Sequence, residues 1–287
     1  MTRTVCRQPY VDDVRRPAID VALNPVGASV HELSEAARLA EAAGFEGVWC
    51  YDHLSGAVLG GTRCVEVWTA LGALARATST VAIGPLVLNA AVRHPAHIAT
   101  AAASIDELSD GRLWLGLGAG AGPESAFSAE LAMLGLPVLE AARRRSRVRD
   151  AAGYLRALWA GASSYDGAET SFQGVVGVAR PLHPVPLVIA ANGPRMARLA
   201  GEVGDALNVH NWQADLVRVV SAAREAASGR GAEIDVSVEA PFDVAWLDRT
   251  SATHAELAAL DVARVIVRWE ARLGPQALGS AAKHLAC

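Results

Sequence analysis

The amino-acid sequence predicts an α/β fold, a (β/α)8 barrel of the TIM type, and three observations favour it. Short apolar runs rich in β-branched residues, as in strands buried on both faces, recur eight times. A stretch with helical periodicity follows each run. The chain of 287 residues has room for the ~250 residues that such a barrel needs. An open doubly wound sheet is the alternative, but eight uninterrupted units favour closure.

The predicted strands and helices alternate along the chain. The strands are predicted at 18–23, 47–51, 81–89, 112–117, 186–191, 206–209, 235–240 and 262–269. The helices are predicted at 30–43, 65–77, 95–109, 145–159, 195–203, 214–227, 254–260 and 275–285. Residues 163–183 are rich in Gly, Ser and Thr, and we predict a short insertion there, after strand 4 and helix 4. Residues 1–287 are interpreted as a single domain in which 1–17 form an N-terminal extension.

Local signals justify the ends of these elements. Gly44 closes the first helix, because glycine accepts the left-handed conformation that often ends a helix. Pro95 opens the third helix at the first-turn position that proline tolerates, and Ser109-Asp110-Gly111 ends it. The turn Asn192-Gly193-Pro194 leads directly into the fifth helix. These three helices therefore have start or stop signals of their own.

Composition excludes several classes of partner. The 26 basic and 30 acidic side chains give a formal charge of −4, so no basic field would attract nucleic acid or an anionic membrane. The N-terminus carries charges, and no apolar run approaches the ~18 residues of a membrane helix. The cysteines lack metal-ligand spacing, so free thiols in a reducing cytoplasm are expected. They are Cys6, Cys50, Cys64 and Cys287.

The chemistry of a TIM barrel is expected at the carboxyl ends of its strands. The residues that follow the predicted strands are Asn24, Asp52, His53, Asn89, Gly118 to Gly122, Asn192, Gly193, His210, Asn211, Glu239, Arg268 and Glu270. His53 and His210 follow distant strands and no ligand spacing repeats, so no metal site is predicted. Schiff-base chemistry needs a lysine at a strand end, but the single lysine is Lys283. Arg268 and Glu270 are interpreted as an exposed pair.

Two of these loops have the features of an anion site. Asn192-Gly193-Pro194 opens a helix, where backbone N–H groups would face a phosphate at the positive end of the helix dipole. Gly118-Ala119-Gly120 would let a ligand approach the backbone closely. Each loop alone is also typical of a structural connector, and the two together favour a phosphate. The arginine-rich run at 143–149 is interpreted as a solvated helix face rather than as a contact for an acidic ligand tail.

Four separated segments carry a more specific pattern. They are GFEGVWCYDHL at 44–54, RHPAHIATAAASIDELSDGRLWLGLGAG at 93–120, RALW at 156–159 and PLVIAANGPRMARLAGEVGDALN at 186–208. In this order they resemble the bacterial luciferase-like monooxygenase family, and within it the branch that uses the 5-deazaflavin coenzyme F420. The resemblance covers about residues 18–270.

The resemblance implies which residues form the site. It places His53 beside the deazaflavin ring as the catalytic residue, and it implies a cis peptide bond between Leu86 and Val87 behind the ring. The coenzyme-binding residues that it implies are Asp52, His53, Leu86, Val87, Asn89, Gly118, Ala119, Gly120, Ala191, Asn192, Gly193 and Pro194. Among these, Asp52 is expected to orient or cap rather than to react. His210 and Asn211 are assigned to the substrate, and a homodimer is implied.

Three positions depart from the pattern of the sugar-phosphate dehydrogenases in this branch. The resemblance leads us to expect a glutamate after the glycines of strand 4, a tryptophan four residues after the histidine, and a lysine after strand 6. Ala121, Ala57 and Gln213 stand there instead. Oxidation of glucose 6-phosphate is therefore disfavoured, and a less anionic small-molecule substrate is expected.

The resemblance thus predicts an enzyme, an F420-dependent oxidoreductase that moves hydride between the coenzyme and a small organic substrate. An imidazole titrates near neutrality, so His53 is the candidate for proton transfer or for stabilising the reduced ring. An FMN-dependent luciferase-like monooxygenase is the alternative within the same fold. A barrel that has lost catalysis and acts as a binding protein is the third hypothesis.

Overall fold

The structure, a computed structural model, describes residues 16–285. Its strands are β1 Ala18–Leu23, β2 Gly47–Cys50, β3 Ala82–Pro85, β4 Leu88–Asn89, β5 Leu115–Gly118, β6 Ser164–Asp166, β7 Ser171–Gln173, β8 Leu187–Ala190, β9 Ala206–His210, β10 Asp235–Pro241 and β11 Arg264–Trp269. Its helices are α1 Val30–Ala43, α2 Val67–Ala77, α3 Pro95–Ser109, α4 Ser128–Met133, α5 Ala141–Trp159, α6 Pro194–Val203, α7 Leu216–Ser228, α8 Val244–Leu247, α9 Ala252–Ala258 and α10 Gln276–Leu285. Cys6, Cys287 and most of the predicted N-terminal extension lie outside the described residues.

Nine parallel strands form the barrel in the order β3-β2-β1-β11-β10-β9-β8-β5-β4. A parallel bridge between Ile83 and Leu113 brings β3 beside the start of β5, which closes the ring. The strands β3 and β4 are two halves of one barrel strand, since only Leu86 and Val87 separate them. The predicted (β/α)8 barrel is confirmed, and the carboxyl ends of its strands meet at one mouth.

Alternate residues of the strands serve two apolar layers, as the two-residue period of a strand requires. The smaller layer fills the lumen of the barrel and consists of Ala22, Trp49, Leu86, Val188, Ala206 and Ile266. The larger layer lies between the strands and the surrounding helices and includes Val21 and Val265. Both faces of the strands are buried, which explains why their sequences are continuously apolar.

A buried ion pair closes the amino-terminal end of the lumen. The fully buried Asp20 accepts hydrogen bonds from Arg264 Nη1 at 2.7 and 2.8 Å and from Trp49 Nε1 at 2.9 Å. Burial raises the pKa of Asp20 in spite of the Arg264 guanidinium. A Cβ at Gly47 would stand 2.6 Å from this carboxylate, so the start of β2 requires glycine. This end of the barrel is therefore filled by side chains, and the open end is the mouth.

The structure differs from the predicted elements where tertiary contacts override local signals. The helices α4 and α8 were not predicted, because helices of six and four residues depend on their surroundings rather than on periodicity. Helix α5 begins at Ala141, four residues before its predicted start. Arg112 was predicted in strand 4, but its guanidinium donates to the carbonyls of Ala75, Thr78, Val81 and Ser109 instead.

The predicted insertion contains an antiparallel hairpin of β6 and β7, where Tyr165 pairs with Phe172. Tyr165 also donates to the carboxylate of the buried Asp150 at 3.2 Å, which fastens the hairpin to α5. Within residues 16–285, none of the helices is long and apolar enough to cross a bilayer. The same residues contain no cluster of three or more His, Cys, Asp or Glu that could hold a metal ion.

Candidate active site

Two cavities open side by side at the mouth of the barrel. We call the first the basic cavity; it has a volume of about 630 Å³ and is lined by Val87, Gly118, Ala119, Gly120, Ala141, Arg144, Arg145, Ala190, Asn192, Gly193, Pro194, Arg195, Met196, His210 and Arg218. We call the second the aromatic cavity; it has a volume of about 390 Å³ and is lined by Asn24, Tyr51, His53, Leu59, Leu86, Val87, Phe127, Ala190, Asn208, His210, Trp212, Glu239, Arg268 and Glu270. They share Val87, Ala190 and His210. Both volumes fall within the range of small-molecule sites.

His53 lies in the aromatic cavity and is held from two sides. Its Nδ1 atom is buried and lies 3.3 Å from Oε1 of Glu130, whose side chain is 6% exposed. The ring of Phe127 stacks on the imidazole at a centroid distance of 5.1 Å and an angle of 19°. Because the carboxylate takes the Nδ1 side, Nε2 is the nitrogen left for a ligand. The arrangement suits proton transfer at Nε2.

Glu130 belongs to α4, and its contacts fasten that helix over the loop that carries His53. Its Oε1 accepts the N–H groups of Leu54 at 3.1 Å and Ser55 at 3.2 Å. Burial alone would raise the pKa of Glu130, but His53 and the two N–H groups together lower it. Glu130 therefore stays ionised beside His53.

Sequence reasoning missed Glu130 because it lies in the irregular stretch between Gly122 and Arg143. One signal could have found it. Ala121 stands where the resemblance leads us to expect a glutamate, and Glu130 is one of two carboxylates, with Glu124, in the ten residues that follow. The carboxylate beside His53 is thus supplied by Glu130, nine residues further along the chain than Ala121.

Asp52 supports the site without lining either cavity. Its side chain is 2% exposed and accepts two hydrogen bonds from Arg93, at 2.7 and 2.9 Å. It also accepts the backbone N–H of Asn89 at 3.0 Å. The structure therefore places Asp52 as the residue that ties β2 to β4, in agreement with its expected orienting role.

The wall between the cavities is the break between β3 and β4. The peptide bond between Leu86 and Val87 is cis, as the resemblance implied. Leu86 lines the aromatic cavity, and Val87 lines both. A Cβ at Gly118 would stand 2.5 Å from Cγ2 of Val87, so glycine is required for β5 to pass behind this wall.

The basic cavity has the features of an anion site. Gly193 precedes α6, Pro194 occupies its first turn, and in the described part of the chain no side chain caps this helix. Arg144 donates from Nη1 to the carbonyl of Gly120 at 2.8 Å, while its buried Nε has no hydrogen-bond partner within residues 16–285. The lining residues include four arginines and no carboxylate. The positive end of a helix together with several guanidinium groups suits a phosphate.

Three predicted site residues lie behind the cavity walls. Asn89 accepts the N–H of Ala91 through Oδ1 at 2.9 Å, and this side chain packs against Gly120. Ala191 is buried and donates its N–H to the carbonyl of Asn208. Asn211 donates its N–H to the carbonyl of Glu239 at 2.8 Å, and its Oδ1 is buried without a partner among the described residues. By contrast, the predicted coenzyme-binding residues Gly118, Ala119, Gly120, Asn192, Gly193 and Pro194 line the basic cavity, and His210, predicted for the substrate, lines both cavities. Their roles stay predictions.

A second carboxylate–histidine pair lines the aromatic cavity together with His53, and sequence reasoning did not foresee it. Oε2 of Glu239 lies 3.3 Å from Nδ1 of His210, and Oε1 accepts the hydroxyl of Tyr51 at 2.9 Å. Arg268 Nε lies 3.6 Å from the same Oε1. The interpretation of Arg268 and Glu270 as a pair is therefore wrong; Glu270 pairs with Arg272 at 2.6 Å. Burial and then Glu239 raise the pKa of Tyr51 well above its ordinary value.

The arginine-rich run is not a uniformly solvated face, so that interpretation is also wrong. Arg144 and Arg145 line the basic cavity. Arg147 donates to the carbonyl of Ala91 at 2.8 Å. Arg143 and Arg149 form ion pairs with Glu169 and Glu202. The helical period of α5 therefore distributes these guanidinium groups between the cavity, a neighbouring loop and the surface.

Comparison with known proteins agrees with this geometry. The family model of the luciferase-like monooxygenases matches residues 15–278. The chain belongs to this family. Its luciferase-like barrel is similar to the structure of the coenzyme F420 dependent tetrahydromethanopterin reductase from Methanopyrus kandleri, with a TM-score of 0.75 and 19% identity, over 94% of this chain and 99% of that one.

Two luciferase-like relatives are similar in sequence. The F420-dependent glucose-6-phosphate dehydrogenase of Beutenbergia cavernae is 40% identical over 169 residues, which are 58% of this chain and 48% of the relative. The 5,10-methylenetetrahydromethanopterin reductase of Methanolobus tindarius is 28% identical over 244 residues, 83% of this chain and 68% of the relative. The chain spans about half the length of the glucose-6-phosphate dehydrogenases that it matches.

Proposed function

We propose that the protein is a coenzyme F420-dependent oxidoreductase that exchanges hydride with a small organic substrate. The observation that carries this proposal is the buried Nε of Arg144, which has no hydrogen-bond partner among residues 16–285. It lies in a cavity lined by arginines, directly beside the cavity that holds His53. An anionic group bound there would have its attached ring at the shared wall of Val87. The names of the relatives, which include F420-dependent enzymes, support the same proposal.

The residues present fit the coenzyme at both ends. Arg144, Arg145, Arg195 and Arg218, with the start of α6, would hold its phosphate and acidic linker. Leu86 and Val87 would support the ring, and His53 would meet its edge. When bound, the deazaflavin ring supplies the carbon that accepts or gives hydride. His53 would hold a proton at Nε2 towards the reduced ring and so stabilise it, while Glu130 lies beside Nδ1.

The alternatives remain as outcomes of one binding experiment. The purified protein is titrated with F420, with FMN and with the deazaflavin precursor that lacks the phosphate, and fluorescence quenching is followed. We expect F420 to bind most tightly and the precursor to bind at least tenfold more weakly, because charge-assisted contacts to phosphate contribute about 1.5–3 kcal/mol each. Tighter binding of FMN would favour the monooxygenase. Binding of neither cofactor at high micromolar concentration would favour a non-catalytic barrel.

The partners of the protein follow from the same proposal. The substrate is a small molecule, and Ala121, Ala57 and Gln213 make glucose 6-phosphate a poor one. We further propose a homodimer in the cytoplasm, as the resemblance implies. Sedimentation equilibrium of the full chain tests the dimer, and a single species with the mass of one chain would contradict it.

A further inference from the structure

The aromatic cavity contains two carboxylate–histidine pairs rather than one. In each pair the distance from Nδ1 to the carboxylate is 3.3 Å, and the carboxylate is nearly inaccessible, with 6% exposure for Glu130 and 5% for Glu239. Both Nδ1 atoms are buried and lie at ion-pair distance from their carboxylates, and neither has a hydrogen-bond partner within residues 16–285. His53 and His210 retain 18% and 27% exposure of their side chains. Because the carboxylate lies on the Nδ1 side of each ring, Nε2 is the nitrogen of each imidazole that is left for a ligand of this cavity.

The second pair is built more elaborately than a chance contact. Tyr51 donates to Oε1 of Glu239, and Arg268 approaches the same oxygen, so Oε2 is left for His210. Trp212 stacks on the imidazole at 4.0 Å and 11°, and the Arg268 guanidinium lies 4.7 Å from the same indole. These contacts hold the imidazole in one plane and one orientation, as outer residues do for reacting histidines.

We propose that His210 exchanges the substrate's proton in this cavity, with Glu239 as its positioning residue, and that the substrate is a neutral molecule bearing a hydroxyl or carbonyl group. This inference rests on the proposed function. Oxidation of such an alcohol breaks its C–H bond, and both electrons leave with the hydrogen as hydride to the coenzyme. The O–H bond gives its proton to Nε2 of His210, and the carbon–oxygen double bond forms. Atoms and electrons therefore balance.

The charges around the cavity support a neutral substrate. Arg268 is the one guanidinium that lines the aromatic cavity in the described residues, and it is engaged by Glu239 and Trp212. Glu239 and Glu270 line the same space, so an anionic substrate would meet repulsion there. A cationic substrate is not expected either, because both carboxylates already have partners. Glu239 contacts Tyr51 and Arg268, and Glu270 pairs with Arg272.

The pH dependence of the reaction depends on every charged neighbour of His210. On the aromatic side these groups are Tyr51, His53, Glu239, Arg268 and Glu270. On the basic side they are Arg144, Arg145, Arg195 and Arg218. Of all these groups, Glu239 is the one whose side chain lies at ion-pair distance from His210. Removing the charge of Glu239 is therefore the change that tests the role of this imidazole most directly.

The test uses the full chain with F420 and three probes, namely 2-propanol, cyclohexanol and glucose 6-phosphate. We expect turnover of at least one alcohol and a lower kcat/KM with the sugar phosphate. Glu239→Gln should lower kcat by about 10- to 100-fold and shift one limb of the pH profile, with KM within a few-fold. Tyr51→Phe, which keeps the packing, should shift the same limb by less. Glu239→Asp should recover part of the loss.

The control is Asp150→Asn, which removes another buried carboxylate that accepts a tyrosine hydroxyl but lies outside both cavities. We expect its pH profile to match that of the unaltered protein. F420 quenching is measured for every variant, so loss of coenzyme binding is separated from loss of proton transfer. A protein that binds F420 but oxidises neither alcohol, or pH profiles unchanged in both Glu239→Gln and Tyr51→Phe, would overturn the inference. Absence of F420 binding in the unaltered protein would overturn the proposed function as well.

Discussion

The two cavities at the mouth of the barrel share a wall but are lined by different kinds of residue. The basic cavity is lined by small residues at the ends of β5 and β8 and by arginines of α5, α6 and α7. The aromatic cavity is lined by residues of β9, β10 and β11 and by residues of the loops, among them Tyr51 and His53 after β2, and it has two carboxylates of its own. Backbone and arginine recognise an anion without regard to what it carries, whereas side chains at strand ends define a particular substrate. On the proposed function, recognition of the cofactor and recognition of the substrate would therefore be separated between the two cavities.

The largest expected effect is a loss of turnover after a substitution in the aromatic cavity. His53→Ala removes the imidazole but leaves the arginines of the basic cavity in place, so we expect turnover to fall by about 10²- to 10⁴-fold. The dissociation constant of F420 should change by less than about threefold. Steady-state kinetics with cyclohexanol and quenching titrations measure the two quantities. Unchanged turnover would remove His53 from the reaction.

A smaller effect, on coenzyme binding rather than on turnover, is expected from a substitution in the basic cavity. Arg144→Ala removes the buried Nε and also the hydrogen bond that Nη1 donates to the carbonyl of Gly120. We therefore expect F420 to bind about 10- to 100-fold more weakly. Binding of the precursor without phosphate should be nearly unaffected. Arg38→Ala is the matched control, since Arg38 is exposed and pairs with Glu35 on α1. Equal losses for both ligands would mean that Arg144 maintains structure rather than binding the anion.

The smallest effect concerns the stability of the contact between α4 and the His53 loop. The pKa of Glu130 is lowered in the folded protein, so its stabilisation is present above the unfolded pKa of ~4.3 and is lost as pH falls through the folded value. Glu130→Gln should therefore reduce the free energy of unfolding by about 1–3 kcal/mol at pH 7. The difference from the unaltered protein should shrink below about pH 4.

Urea denaturation of both proteins between pH 3.5 and 7 measures this difference. Glu124→Gln, on the same connection, provides the control. A difference that stayed constant across the pH range would show that the carboxylate charge contributes nothing to the contact.

Local sequence signals predicted those features that depend on neighbours along the chain. The helix at 30–43 has its predicted bounds, because Ser29 and Glu32 form a capping box and Gly44 adopts the left-handed conformation. The mouth was predicted because the ends of parallel strands in a barrel must meet there. The resemblance added the cis bond at Leu86, which no composition or periodicity indicates.

Partnerships across the chain could not be predicted in the same way. Tyr51 and Glu239 are separated by 188 positions, and Leu54 and Glu130 by 76. Each of these residues alone has an ordinary explanation in a strand end or loop. The same reasoning explains the error at Arg268, whose sequence neighbour Glu270 turns to Arg272 while Glu239 approaches from the adjacent strand. Pairing of this kind is determined by the register of strands and not by local pattern.

The glycines of β5 limit how the site can be redesigned. A Cβ at Gly116 would stand 2.2 Å from the carbonyl oxygen of Pro85, and one at Gly118 would stand 2.5 Å from Val87. Even alanine has no place at either position, so the shape of the wall cannot be tuned from β5. Enlarging the cavities at this wall therefore requires a smaller side chain at Val87. Gly116 and Gly118 would then border the added space.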